Sequence, residues 1–289
     1  MSKAAGKTGT EVAEVKKGAL TLAPEFLGAE DFGGGFEGAD KDSYAIPFIQ
    51  ILQKMSPLVD EDSPKRLEGA KSGMLFNTVT QQLYDVREKP LLFVPCAYKR
   101  SFILWGARDG DGGFKGEVTP EEMDAIEARG EVENVDGKLL VKDEKGEVNP
   151  KKSDYYSDTR SHYVIVIDPD TGDTMPCIIS LASTQIKSSK MLMTALQNKK
   201  VDHGGVKRTP PTFANLVKFS TVGQSNEKGS WSVAKFELDG LVTDAALFTE
   251  AKEFYRAINA GEVKADYSKA GGDAAAGDVS SAPQQAEGF

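Results

Sequence analysis

The run Ser161-His-Tyr-Val-Ile-Val-Ile-Asp168, the turn Pro169-Asp-Thr-Gly-Asp173 and the run Thr174-Met-Pro-Cys-Ile-Ile-Ser-Leu181 decide how this chain is read. Two β-branched apolar runs flank residues that supply turn angles, which predicts a β-hairpin. Downstream, Ile186, Met191, Leu192, Ala195 and Leu196 recur at mostly helical spacing and predict a helix from Gln185 to about Lys199. A basic loop, His203-Gly-Gly-Val-Lys-Arg-Thr-Pro-Pro211, leads into a second hairpin. Its strands are expected over Phe213 to Val222 and Ser230 to Leu238, around a turn at Ser225-Asn-Glu-Lys-Gly229.

Working outward, Leu91 to Gly106 is the longest strand-like run, and Pro95 within it calls for an edge position or a bulge. With that run as first strand, the order strand, strand, strand, helix, strand, strand is that of an OB-fold barrel, whose helix lies between strands three and four. The expected fold class is therefore mainly β (α+β). It comprises an OB-like β-barrel with an added N-terminal β-layer and a C-terminal helix. OB-folds commonly bind single-stranded nucleic acid, an argument from fold alone.

Residues 1–42 are rich in Lys, Ala, Gly and Thr and bury too little apolar surface to offset ordering entropy, so disorder is expected there. The domain is expected over 43–262. Ile46-Pro-Phe-Ile-Gln-Ile-Leu-Gln53, Gly73 to Thr80 and Gln82 to Val86 are the strands of its N-terminal layer. Residues 107–160 read as an acidic insert. Thr119-Pro-Glu-Glu122 is a capping box opening a helix that stops at Gly130, and Val135-Asp-Gly-Lys138 is a hairpin turn. Thr243 is the expected cap of the final helix, whose stripe of Leu247, Ala251, Phe254, Tyr255 and Ile258 packs on the barrel or serves a homodimer. Residues 263–289 read as a flexible tail ending in Phe289.

A net charge of −9 argues against a protein that coats nucleic acid with its whole surface, but allows a basic groove on an acidic body. Cys96 and Cys177 lie in apolar strand-like runs and read as buried free thiols. Two Cys and two His do not make a four-ligand zinc site, and no metal or other cofactor is expected. No apolar run reaches the ~20 residues that cross a bilayer, so no membrane partner and a cytoplasmic location are expected. The chain holds no nucleophile elbow, P-loop, dinucleotide fingerprint or zinc-protease motif, and an enzyme is not expected.

Cations beside aromatics are the better signal. Alternation places Tyr98, Arg100, Phe102 and Leu104 on one face of the first strand and Lys99, Ser101, Ile103 and Trp105 on the other. From Gln185 to Lys235, nine Lys and Arg face only Asp202 and Glu227, with Phe213, Phe219, Trp231 and Phe236 interleaved. Such segregation suits phosphate binding with base stacking. It equally suits a solubility rim around a core containing Phe219 and Phe236.

The stretches Ile46-Pro-Phe-Ile-Gln-Ile-Leu-Gln-Lys-Met-Ser-Pro57, Ile179-Ser-Leu-Ala-Ser-Thr-Gln-Ile-Lys-Ser-Ser-Lys190 and Asn226-Glu-Lys-Gly-Ser-Trp231 resemble segments of tailed-bacteriophage DNA-metabolism proteins. With the terminal Phe289, the chain is similar to phage single-stranded-DNA-binding proteins of the OB-fold type. That resemblance implies a replication or recombination accessory that coats single-stranded DNA without sequence preference. It would contact phage replication or recombination proteins through Phe289 of an acidic tail. The binding residues it implies are Lys99, Arg100 and Trp105 in the first strand, Lys187 and Lys190 on the helix, Lys207 and Arg208 in the loop, and Lys218, Trp231 and Lys235 on the last hairpin. The competing expectation is a structural or protein-interaction module of a virion or its assembly, which needs no basic groove.

Overall fold

The computed structural model describes residues 43–270, apart from Arg108, Asp111, Asp136 and Lys228, and a few positions between 26 and 39. The expectations for most of 1–42, for the tail beyond 270 and for Phe289 lie outside the described residues. The chain opens with three short antiparallel strands, β1 (Ile49–Ile51), β2 (Leu75–Asn77) and β3 (Leu83–Tyr84), in the order β1-β2-β3. Then come β4 (Leu91–Trp105), β5 (Phe114–Val118), α1 (Pro120–Ala128), β6 (Val132–Val135), β7 (Lys138–Val141), β8 (Tyr155–Ile167) and β9 (Thr174–Ala182). The rest comprises α2 (Ile186–Asn198), the hairpin β10 (Val201–His203) and β11 (Val206–Arg208), the hairpin β12 (Asn215–Asn226) and β13 (Gly229–Leu241), and α3 (Ala245–Asn259).

The main sheet is antiparallel and curls into a half-barrel. Its path runs β13-β12-β4-β8, with β9 on the other side of β8 and β5, β6 and β7 extending the far end. The predicted hairpin is β8–β9, paired from Thr159 with Ala182 to Ile167 with Thr174. Pro95 sits at a bulge rather than an edge: Pro95 faces Val164 while Ala97 already faces Tyr163, and β4 continues beside β8 on both sides of the break. A missing N–H is tolerable there because the bulge interrupts the ladder.

Leu91 and Phe93 of β4, Val164 and Val166 of β8, Cys177, Ile179 and Leu181 of β9, Phe219 of β12 and Ala234 of β13 fill the concave side. Leu192 and Leu196 of α2 and Ile49 and Leu75 of the small sheet close over them. Phe93, Phe219 and Phe236 meet there with centroids 4.9–6.4 Å apart. The convex side is covered too. Ala251 and Ile258 of α3 pack on Cys96, Ile165 and Tyr163, and the chain after α3 lays Tyr267 and Ala270 against Phe48, Ile103 and Ile178.

β9 and β13 do not pair with each other along a ladder: the segment entering β1 bridges to β9 at Phe48 and Ile178, where the Ile178 N–H donates to the Pro47 carbonyl at 2.9 Å. Two glutamine side chains bridge toward β13. The Gln53 amide donates to the Ser232 carbonyl and accepts from the Ser232 N–H, both at 2.9 Å. Gln185, in the 3-10 turn before α2, donates to the same carbonyl and accepts from the Ala234 N–H, both at 2.8 Å. Each carboxamide thus offers one donor and one acceptor where a neighbouring strand would offer a peptide group.

The sequence boundaries need two corrections. Residues 263–270 are not a free tail: Tyr267 is 2% exposed, and its hydroxyl hydrogen-bonds that of Ser161. The insert ends earlier than residue 160, because β8 begins at Tyr155. The cap of α3 is also Asp244 rather than Thr243, its carboxylate accepting from the Leu247 N–H at 2.8 Å. The capping box of α1 forms as read, with Thr119 and Glu122 bonded reciprocally. Thr119→Ala should therefore loosen α1 by about 1 kcal/mol, seen as roughly fivefold faster amide exchange in its first turn.

Candidate nucleic-acid interface

The ten residues expected to bind nucleic acid fall in three places. Lys99, Trp105, Lys218, Trp231 and Lys235 lie on the convex side. Trp105 is 6% exposed and packs edge-on to Phe114 at 6.3 Å, so its ring belongs to the core and offers no face to a base. The Lys99 ammonium rests 5.4 Å from the centre of the Tyr163 ring. Lys218 is bound to Asp239, and Lys235 pairs with Glu237 at 3.0 Å. Trp231 is half-buried. Counter-charges thus already hold two of this set, Lys218 and Lys235.

Arg100 lies on the concave side of β4. It forms a two-pronged pair with Asp158, at 3.2 Å from Nε and 3.1 Å from Nη2. Asp158 is shared with Arg160, the residue opposite Arg100 on β8, whose Nη2 donates to it at 2.8 Å. Sequence reasoning missed both Asp158 and Arg160. The strand signal it used began at Ser161, and Ser157-Asp-Thr-Arg160 carries no apolar alternation.

Lys187, Lys190, Lys207 and Arg208 are exposed and have no ion pair among the described residues. The first two stand on the outer surface of α2, whose buried side is Ile186, Ser189, Leu192 and Leu196. The other two are on β11, in the hairpin that follows α2 directly. Lys200 ties the base of that hairpin to the helix end by donating to the Gln197 carbonyl and the Thr209 hydroxyl. From Thr174 to Asn226 the sequence has Asp202 as its sole acid, and Asp202 is engaged by the Gly205 N–H at the hairpin turn. α2 itself carries no acid at all. In a chain of net charge −9 this is the segregated cationic surface that an anionic polymer requires.

Below α2, the His162 ring is 2% exposed, with Nε2 2.8 Å from the Ser189 hydroxyl. Burial lowers its pKa to about 4, so the imidazole is neutral at physiological pH. Cys96 and Cys177 are buried on opposite sides of the sheet, unpaired, and burial pushes both thiols up to about 12. Neither is an activated nucleophile. Among the described residues no cluster of three or more potential metal ligands occurs. No described helix is long and apolar enough to cross a membrane.

These features define a β-rich α+β protein: a curled antiparallel sheet with, among the described residues, three α-helices, and a cationic helix-and-hairpin surface. The family model described as Pam3 phage gp34-like protein matches residues 15–264, and the chain belongs to this phage protein family. No curated protein and no solved structure shows significant similarity to the chain.

Proposed function

We propose that this phage protein is a non-enzymatic, non-sequence-specific single-stranded-DNA-binding protein. Its OB-like half-barrel carries the DNA backbone along α2 and the β10–β11 hairpin. The observation behind this reading is the acid-free α2 surface continuing into Lys207 and Arg208. Strand adjacency supports the OB-like description: β4, β8, β9, β12 and β13 pair as the first, second, third, fourth and fifth strands of such a barrel would. The contact of third with fifth is replaced by the β1 segment, which bridges to β9 at Phe48, and by Gln53 and Gln185, which bond β13. In this reading lysine and arginine hold phosphates, and the DNA serves phage replication or recombination. Phe289 would be the contact for a protein of that machinery.

Fluorescence anisotropy with labelled oligo-dT and matched duplex, over a salt series, tests the reading. Oligo-dT should bind more tightly than duplex and with steep salt dependence. Replacing Lys187, Lys190, Lys207 and Arg208 together by Gln should weaken binding at least tenfold. It should also flatten the log–log salt slope by about 2–3, since each phosphate contact on a single strand contributes about 0.7. No binding of oligo-dT at low salt would sink the proposal and leave a virion or assembly module as the better description.

A further inference from the structure

The concave side changes character along its length. Around Val164 and Val166 it is packed core; α2 covers it at His162, and at the far end α1 covers Phe102 with Met123 and Ile126. Between those two lids the face is charged and aromatic: Tyr98 and Arg100 on β4, Asp158 and Arg160 on β8. Tyr98 is 38% exposed and stands against the His162 ring, centroids 5.2 Å apart. Arg100 has a side chain 41% exposed, whereas that of Arg160 is 10% exposed.

Asp158 is the carboxylate that bonds both arginines directly, and Asp124 of α1 adds a longer-range negative charge near Arg100. The Nε of Arg160 is buried with no acceptor. A buried guanidinium donor without a partner is costly and asks for another oxygen. Phosphate oxygens answer that need, because arginine's planar fork matches them at two points. An exposed tyrosine ring beside such a pair is a stacking platform for a base.

We propose that this gap between α2 and α1 is a single-nucleotide subsite for single-stranded nucleic acid. Arg100 and Arg160 take a backbone phosphate, and Tyr98 stacks the adjoining base. The subsite rests on the single-strand reading above and adds a base-contacting element that α2 and the hairpin lack. Asp158 holds both arginines in place until the phosphate arrives. A paired duplex cannot use the site, since its bases are stacked away from Tyr98.

The test uses the full chain with Arg100→Gln and, separately, Tyr98→Leu, both at exposed side chains, with thermal midpoints checking that each folds. Oligo-dT anisotropy is followed over the same salt series. Arg100→Gln should weaken binding several-fold and lower the salt slope by about 0.7, the loss of one phosphate contact. Tyr98→Leu should weaken binding at least fivefold with the slope unchanged, the signature of lost stacking. If the wild type binds and both variants match it in affinity and slope, the subsite is wrong and the single-strand reading stands on α2 and the hairpin. A loss in only one variant overturns the paired phosphate-and-base arrangement. If the wild type does not bind oligo-dT at low salt, both proposals fall.

Discussion

Replacing Gln53 and Gln185 together by Leu should lower the unfolding free energy by about 3 kcal/mol or more. The two substitutions leave the Ser232 N–H, the Ser232 carbonyl and the Ala234 N–H without the partners they now have. Ser232 and Ala234 are buried, and each stranded backbone group costs about 1–3 kcal/mol. For a domain of this size that corresponds to a melting midpoint roughly 6–12 °C lower. Gln53→Glu is the sharper comparison. It keeps the shape and still accepts from the Ser232 N–H, but turns a carboxylate oxygen toward the Ser232 carbonyl. It should therefore melt below Gln53→Ala. Equal midpoints for Gln53→Glu and the wild type would show that the amide does not stand in for a strand.

Acidification should destabilise the fold by about 3 kcal/mol between pH 6.5 and about 4, and His162 should account for most of it. Its pKa is lowered from 6.5 to about 4 in the folded chain because burial disfavours the imidazolium. A group whose neutral form is favoured on folding costs nothing above its unfolded pKa. Stability then falls with pH from 6.5 until the folded pKa is reached, at about 1.4 kcal/mol per unit. The groups around the ring are the Ser189 hydroxyl, the Tyr98 and Phe236 rings and, two residues along on the same side, the Arg160 guanidinium. Asp85, held low by its hydrogen bond from Arg87, and Asp168, whose desolvation is outweighed by hydrogen bonds from Gln82, Thr171 and Asp170 together, give up their contributions only below about pH 4. Thermal midpoints measured from pH 7.5 to 4.5 should fall steadily for the wild type and much less for His162→Gln. A wild-type curve flat down to pH 4.5 would exclude the mechanism.

Much of the half-barrel was legible in the chain because its signals are local. β8 and β9 announce themselves by β-branched runs around Pro169-Asp-Thr-Gly-Asp173, α2 by its spacing, and α1 by Thr119 and Glu122. What escaped depends on contacts between distant residues. Nothing near Gln53 or Gln185 marks them as substitutes for a strand, since Ser232 lies far along the chain from both. Trp105 read as surface because Lys99 and Arg100 precede it. It is core because Phe114 and the segment through Tyr267 close over that side of the sheet. The same segment read as tail because polar residues flank one buried tyrosine. Of the binding residues, the cations of α2 and β11 stand free where the sequence put them on a helix and a loop, whereas Lys218 and Lys235 meet acids that come from β13.

The bulge at Pro95 acts as a phase shift in an alternating signal. Upstream of it the odd positions Leu91 and Phe93 point to the concave side; downstream, the even positions Tyr98, Arg100 and Phe102 do. An unbroken pleat starting from Phe93 would have sent Lys99, Ser101 and Trp105 inward and left Arg100 on the convex side, away from Arg160. One supernumerary residue therefore lets a single strand serve two surroundings: a dry hydrocarbon lining at one end and a charged, water-facing one at the other. Both lie on the same side of the same sheet.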